Sequence, residues 1–271
     1  MKYKQLFDGG KIPVLGLGTW KMGGQMEADT SQDSLCVNSI KTALEIGYVH
    51  IDTAEIYGAG HTEELVGEAI KNVEREKLFI TTKVWKTNLK YDDVLAACEQ
   101  SLKRLGTNYV DLYLIHASDP NTDLKDTFKA LSELVKNKKI KYLGVSNFQV
   151  DEIKEAQRVS EFPIITNQVH YSLLVREPEK NGVLDYCSKN NILITAYQPI
   201  ERGRVQQLPL VQSMAEKYRK TPTQIAINWL LSNPDVITIS MTTKKNHLQE
   251  NLEAVEFEIS KKDLEKLSNG R

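Results

Sequence analysis

Disulfide chemistry is the first thing this sequence lacks. Its three cysteines, Cys36, Cys98 and Cys187, lie far apart, form no Cys-x-x-Cys pair and cannot pair off completely. They read as reduced thiols, mostly in helical core positions, so a cytoplasmic setting is expected. None sits at a strand end or beside a histidine, which argues against a catalytic thiol. The N-terminus has no long apolar run, so neither a signal peptide nor a membrane span is expected. Charge of one sign is missing too. Thirty-five Lys and Arg against 36 Asp and Glu leave a net charge of −1, with no bulk field to attract nucleic acid or a membrane.

Several motifs are also wanting. Gly16-Leu17-Gly18-Thr19-Trp20-Lys21 lacks the third glycine of a dinucleotide fingerprint, and no Walker-type phosphate loop occurs. There is no His-x-x-x-His metal spacing, no pair of facing carboxylates, no nucleophilic serine and no repeat of 20–50 residues. What remains is an ordinary globular composition, 41% hydrophobic and 26% charged, over 271 residues. That is enough for a large core and a common length for a single α/β barrel, so one domain is expected over 1–271.

The pattern along the chain agrees. A hairpin is expected over 3–7 and 11–15, turning at Asp8-Gly9-Gly10. A first strand at 15–19 is followed by others at 49–52, 78–83, 110–116, 141–145, 164–169, 192–197 and 236–240. Helical periodicity fills the gaps at 31–47, 62–73, 91–105, 124–136, 150–158, 182–190 and 208–232. The last of these breaks at Thr221-Pro222, where Thr221 can cap and Pro222 can start a second helix. A final helix is expected over 259–267. Strands such as Leu112-Tyr113-Leu114-Ile115 are too continuously apolar to leave one face wet. Eight strand–helix units without the glycine fingerprint favour a closed (β/α)8 TIM barrel over an open sheet. The N-terminal β-hairpin then plugs the bottom, and a short helix closes the chain.

Reactions in such barrels occur at the C-terminal strand ends. Those ends read Thr19-Trp20, Asp52 with Tyr57, Lys83, His116, Ser146-Asn147, Gln168 and Tyr197. Each has a bland explanation: Ser146 and Asn147 as a helix cap, Asp52 and Lys83 as a buried ion pair, Tyr57 and His116 as packing. The set is harder to dismiss. A tyrosine titrates near pH ~10, and a neighbouring ammonium lowers that value. Asp52 would keep Lys83 charged, and His116 would orient a substrate oxygen or share the proton transfer. Such a site donates a proton but carries no reductant, so a bound hydride donor is implied.

The motifs Gly16-Leu17-Gly18-Thr19-Trp20, His50-Ile51-Asp52-Thr53-Ala54 with Tyr57-Gly58, Thr82-Lys83-Val84-Trp85 and Asp111-Leu112-Tyr113-Leu114-Ile115-His116 come in a telling order. They continue through Gly144-Val145-Ser146-Asn147-Phe148, Asn167-Gln168-Val169-His170-Tyr171, Ala196-Tyr197-Gln198-Pro199 and Glu250-Asn251. Together they resemble the aldo-keto reductases, in a microbial form, over almost the whole chain. The resemblance implies Tyr57 as general acid/base, Lys83 and Asp52 as its tuning pair and His116 as substrate orienter. It also implies Ser146, Asn147 and Gln168 on the amide of a nicotinamide and Tyr197 stacked on its ring. Gly18, Thr19, Trp20, Asp52, Gln198, Ile200 and Arg202 would complete that part of the cofactor site, and Trp20, Ile56, Tyr57, Trp85, His116 and Met22 the substrate pocket. The substrate implied is a small carbonyl compound or alcohol, and a monomer is expected.

The match is loosest at the cofactor's far end. Relatives that prefer a phosphorylated cofactor carry Pro-Lys-Ser after the eighth strand and an Arg beyond it. Here Met241 stands for that lysine and His247 for that arginine. Thr242, Thr243 and Lys244 remain as phosphate partners, and Glu250 and Asn251 match the family's adenine contacts or equally serve as ordinary polar groups on a helix surface. NADP(H) is therefore favoured, with NAD(H) second. Ala117-Ser118 replaces a common Trp, Gln198 a frequent Ser, and the chain stops at Arg271 without a long closing loop, from which a more open pocket is expected. His61 is expected to face solvent from a loop, and His50 and His170 to serve packing. Two other functions compete: a cofactor-bound scaffold or regulatory protein with little turnover, and a lyase or isomerase working through a Schiff base on Lys83.

Overall fold

The parallel strands close on themselves because their sequences have no polar face to give to water. The computed structural model describes residues 1–270; Arg271, the end of the expected tail, lies outside them. Barrel strands are β3 (Leu15–Gly18), β4 (His50–Asp52), β5 (Phe79–Val84), β6 (Val110–Ile115), β7 (Ile140–Ser146), β8 (Ile164–His170), β9 (Leu193–Tyr197) and β10 (Val236–Ser240), with β1 (Tyr3–Gln5) and β2 (Lys11–Pro13) in a separate hairpin. The barrel runs in chain order, and β10 pairs with both β9 and β3 to shut it. Every residue of β5 and β6 is buried, as parallel strands covered by helices require.

Around them lie α1 (Asp33–Glu45), α2 (His61–Ile70), α3 (Tyr91–Leu105), α4 (Leu124–Lys136), α5 (Val150–Val159), α6 (Glu177–Lys180), α7 (Val183–Lys189), α8 (Pro209–Tyr218), α9 (Pro222–Ser232), α10 (Lys245–Glu253) and α11 (Lys261–Asn269). Their ends follow local chemistry. α3 has Asp92 and Asp93 in its first turn and Lys103 and Arg104 in its last, matching the helix dipole, and stops at left-handed Gly106. Thr221 and Gln224 form a capping box at the start of α9, with Pro222 just inside. The short α6 was not expected. It is a single turn opened by Pro178, too brief to show a helical period.

The hairpin crosses the N-terminal mouth of the barrel. Lys4 donates to the carbonyls of Asn233 and Val236, beside the start of β10, and Tyr142 of β7 donates to Asp8 at 2.9 Å. At the opposite end the ladder runs past the strands into the loops. Thr19 N–H donates to Asp52 O at 3.0 Å, His116 N–H to Val84 O at 3.0 Å and Asn147 N–H to Gln168 O at 2.9 Å. The residues expected to do chemistry are thus held by backbone bonds as rigid as the sheet itself.

One irregularity sets the register of the site. Between β7 and β8, Leu143 faces Ile164 but Val145 faces Asn167, so β8 carries an extra residue there. Gly144 sits at that point; a Cβ on it would meet Thr166 O at 2.8 Å and Leu114 Cδ2 at 2.7 Å. Past the bulge, Ser146 aligns with Gln168. We expect Gly144→Ala to cost about 1–3 kcal/mol, the usual toll of overpacking. A urea-denaturation midpoint equal to wild type would remove this role of the glycine.

Candidate active site

A buried cation organises the barrel mouth. Lys83, at the end of β5, is fully buried and donates to Asp52 Oδ1 at 2.5 Å and to Thr53 O at 2.7 Å. Burial is the largest single influence and works against an ammonium, but Asp52 and the Tyr57 oxygen together outweigh it, and the Lys83 pKa ends above its ordinary value. Its nitrogen also lies 5.2 Å from the centre of the Tyr57 ring. Tyr57 reaches this position through a left-handed turn. Gly58 has φ +57°, its N–H donates to Gln25 O at 2.7 Å, and a Cβ there would stand 2.5 Å from Gly23 O. Only glycine fits that approach.

The phenol does not behave as the sequence suggested. Lys83 pulls its pKa down, as expected, but burial is the larger effect and Asp52 adds to it, so Tyr57 sits above the ordinary tyrosine value. It is a firmly protonated acid, not one poised near neutrality. His116 is displaced further: burial first, then the Lys83 charge, bring it down to about 3. At neutral pH it is an uncharged imidazole with one N–H to donate, which favours orienting a substrate oxygen over sharing the proton as an imidazolium. Its Nδ1 is buried without a hydrogen-bond partner. Aromatic edges fix the rings in order: Trp20 to Tyr57 at 4.8 Å, Tyr57 to His116 at 5.6 Å and His116 to Trp85 at 5.1 Å, centre to centre.

From Asp52 a chain of hydrogen bonds, passing once through the Gln168 backbone carbonyl, runs across the mouth. Gln168 Nε2 donates to Asp52 Oδ2 at 2.8 Å, and Ser146 Oγ donates to Gln168 O at 2.9 Å. Asn147 Nδ2 donates to Ser146 Oγ at 3.0 Å, while Tyr197 Oη donates to Asn147 Oδ1 at 3.0 Å. The Gln168 amide nitrogen is thereby committed, leaving its Oε1 as the acceptor available to a ligand.

These side chains enclose a cavity of about 410 Å³. Gly18, Thr19, Trp20, Asp52, Ile56, Tyr57, Trp85 and His116 line one part; Ser146, Asn147, Gln168, Tyr197, Gln198, Ile200 and Arg202 line the rest. Met22 does not line it. It is 1% exposed in the core beneath, and its carbonyl accepts from Thr62. Met26, which the sequence did not single out, takes a place in the wall, as do Lys21, Pro199, Ile239, Ser240 and Met241. Lys21, Pro199 and Met241 belong to stretches the sequence had already marked; nothing local marks Met26 or Ile239, which barrel closure brings in.

Thr242, Thr243, Lys244, His247, Glu250 and Asn251 lie outside the cavity wall, on the approach to α10 and on α10 itself. No side chain caps the α10 N-terminus. Asn251 is not a surface residue: it is 2% exposed, donates to Ser240 Oγ at 3.2 Å and keeps Oδ1 buried without a partner. Glu250 accepts from Thr221. An open cavity with a free amide oxygen, an uncapped helix start beyond it and an orphaned amide oxygen further along together fit an elongated ligand such as a dinucleotide.

Two supporting residues escaped the sequence, Glu55 and Glu201, and His170, expected only to pack, is bonded to the second of them. Glu55 Oε1 accepts from Trp85 N at 2.6 Å and Asn88 Nδ2 at 3.0 Å, and so holds the Trp85 loop. His170 and Glu201 bond to each other at 2.6 Å behind Tyr197. His61 corrects an expectation: it opens α2 and is clamped between Asp33 and Glu64, each at 2.9 Å, because both carboxylates converge on its ring. His50 is buried against Phe79, as expected of a packing residue.

Comparison with known proteins agrees with this geometry. The sequence profile of the Aldo/keto reductase family matches residues 14–269. Glyoxal reductase of Bacillus subtilis is 38% identical over 266 residues, spanning 97% of this chain and 90% of that protein. A thermostable aldo-keto reductase, Tm1743, solved with the inhibitor epalrestat, superposes with a TM-score of 0.96 at 45% identity over 99% of both chains. An aldo-keto reductase from Klebsiella pneumoniae, solved in complex with NADPH, gives 0.89 at 30% identity over 98% of this chain and 94% of that one.

The two buried histidines make acid sensitivity a test of the site. His50 is held down to about 4 by burial, and His116 to about 3. An unfolded chain protonates histidine near pH ~6.5. Below that value it binds more protons than the folded protein, so stability is fully present above pH ~6.5 and declines as the pH falls towards 4 and then 3. The urea midpoint should drop between pH 7 and pH 5, and by less in His116→Gln. An equal drop in that variant would show that His116 is not held neutral.

Proposed function

The chain belongs to the aldo/keto reductase family, and on that premise we propose that it reduces aldehydes or ketones to alcohols, reversibly, with NADP(H). A short dicarbonyl of the kind named for the Bacillus relative is a natural first substrate to try. The observation that carries this is the fully buried Lys83–Asp52 pair beneath Tyr57, with a neutral His116 across the same cavity. A charge so placed is costly unless the site uses it.

The cofactor, when bound, supplies a hydride to the carbonyl carbon. Everything else falls to this chain's side chains. Tyr57 Oη gives its proton to the carbonyl oxygen as negative charge grows there, and the Lys83 ammonium stabilises the phenolate left behind. The raised Tyr57 pKa suits the reducing direction, because the phenol is fully protonated at neutral pH. His116, uncharged, donates its single N–H to the same oxygen and fixes its angle. Trp20, Ile56 and Trp85 keep water from the carbonyl face. Gln168 Oε1 accepts from the nicotinamide amide, and Tyr197 supports the ring. At the far end, the free α10 amides with Thr242, Thr243 and Lys244 hold the extra phosphate of NADP(H), and Asn251 Oδ1 accepts from the adenine amine. Absence of an arginine at His247 weakens the preference, so NAD(H) is accepted as the poorer cofactor. Buried, unpaired Cys36, Cys98 and Cys187 support a cytoplasmic setting.

Steady-state NADPH oxidation with a panel of simple aldehydes and dicarbonyls tests the reading directly. Tyr57→Phe should lower turnover by ~10²–10⁴-fold while NADPH still binds. Wild-type turnover in that variant would remove Tyr57 as the acid; NADPH binding without turnover in the unaltered protein would favour a scaffold.

Cofactor choice has its own test. Lys244→Ala should raise the KM for NADPH about tenfold, the scale of one hydrogen bond to a charged group, and leave NADH unchanged. Equal effects on both cofactors would put the phosphate elsewhere.

A further inference from the structure

Behind the Tyr197 ring stands a second flat ring. His170, at the end of β8, lies parallel to Tyr197 with centres 5.2 Å apart and planes 14° from each other. It is the stacked aromatic pair at this mouth; the other aromatic contacts there meet edge-on. His170 Nε2 is bonded to Glu201 Oε1 at 2.6 Å, and the same oxygen accepts from Ser172 Oγ at 2.9 Å. Glu201 is a carboxylate only 6% exposed, so it is fastened rather than wandering in solvent.

The backbone around Glu201 needs such a fastening. Gln198, Glu201 and Arg202 all lie in the left-handed region, with φ of +55°, +49° and +53°. Non-glycine residues hold that conformation only where their surroundings impose it. This strained stretch carries Gln198, Ile200 and Arg202 into the cavity wall. Glu201 therefore grips two things at once: the ring that backs the stacking tyrosine, and the loop that forms the wall beside it.

We propose that Glu201 and His170 are positioning residues that set the affinity of this site for its nicotinamide cofactor, by holding Tyr197 flat and the loop of residues 198–207 in place before the cofactor arrives. The proposal rests on the cofactor reading above. Neither residue touches the reacting atoms, so their removal weakens binding and leaves the bond-making step intact. Preorganising a loop lowers the ordering cost of binding, which is where the gain arises.

The test is cofactor affinity, read from the quenching of Trp20 and Trp85 fluorescence by NADPH in the full-length protein. His170→Ala should weaken the Kd about three- to tenfold, the range an aromatic contact commands. His170→Phe, which keeps a flat ring, should recover most of that loss, and a purely structural role would not discriminate between them. Glu201→Ala should weaken binding similarly, and in the cofactor-free protein should speed amide exchange in residues 198–207 without changing exchange in the barrel strands. With cofactor saturating, kcat should stay within about twofold of the parent. Parent-like Kd in both alanine variants, unchanged loop exchange in Glu201→Ala, or a loss confined to kcat would each overturn the proposal. If the unsubstituted protein binds neither NADPH nor NADH, the cofactor reading falls and takes this one with it. Tight binding by the parent with parent-like variants would sink the positioning role alone.

Discussion

A lysine with no solvent contact, bonded to one aspartate and one carbonyl, is the constraint on which this barrel mouth depends. Bringing an ammonium out of water costs several kcal/mol even after relaxation, and a single carboxylate recovers that only at close range. The 2.5 Å contact to Asp52 and the backbone bond to Thr53 meet the requirement. Asp52 must then be immobile, and its second oxygen is bound by Gln168 at 2.8 Å. Gln168 in turn lies opposite Ser146 because β8 carries one extra residue beside Gly144. A register detail in the sheet is therefore part of the electrostatics of the site.

Burial first, and then the same charge, set how the neighbouring groups titrate. Buried beside a cation, His116 is held neutral. Tyr57 feels opposing influences, and burial is the stronger one. An acid that stays protonated and a donor that stays uncharged suit proton delivery to an oxygen gaining negative charge. The reverse direction needs the Tyr57 phenolate as base, so the raised pKa makes it the slower one at neutral pH; a Lys83 nitrogen kept charged by Asp52 is a poor amine for a Schiff base.

Much of this was legible in the chain itself. Continuous apolar runs such as Leu112 to Ile115 announced buried parallel strands, and polar residues where each run stopped marked the mouth. Those signals are local, so they survive without coordinates. What stayed hidden depends on closure or on competition between effects. Met26 and Ile239 enter the wall, and Met22 leaves it, through distances no sequence spacing encodes. His61 looked like a loop residue because the carboxylate of Asp33, twenty-eight positions earlier, is brought to it only by the fold. The sign of the Tyr57 shift needed the depth of burial, a quantity that residue types alone do not contain.

The polar chain from Lys83 through Asp52, Gln168, Ser146 and Asn147 to Tyr197 has one further consequence. It joins the Lys83 end of the cavity to the Tyr197 end through direct hydrogen bonds. Hydride transfer tolerates little error in distance or angle, and errors add along any path built from independent parts. Here both ends hang from one lattice of strand ends, so a displacement of one carries the other with it. The loops outside that lattice, beyond β9 and beyond β10, are the parts left free to differ in what they hold. Variation in affinity and selectivity belongs there, while the geometry of the reacting centre belongs to the barrel.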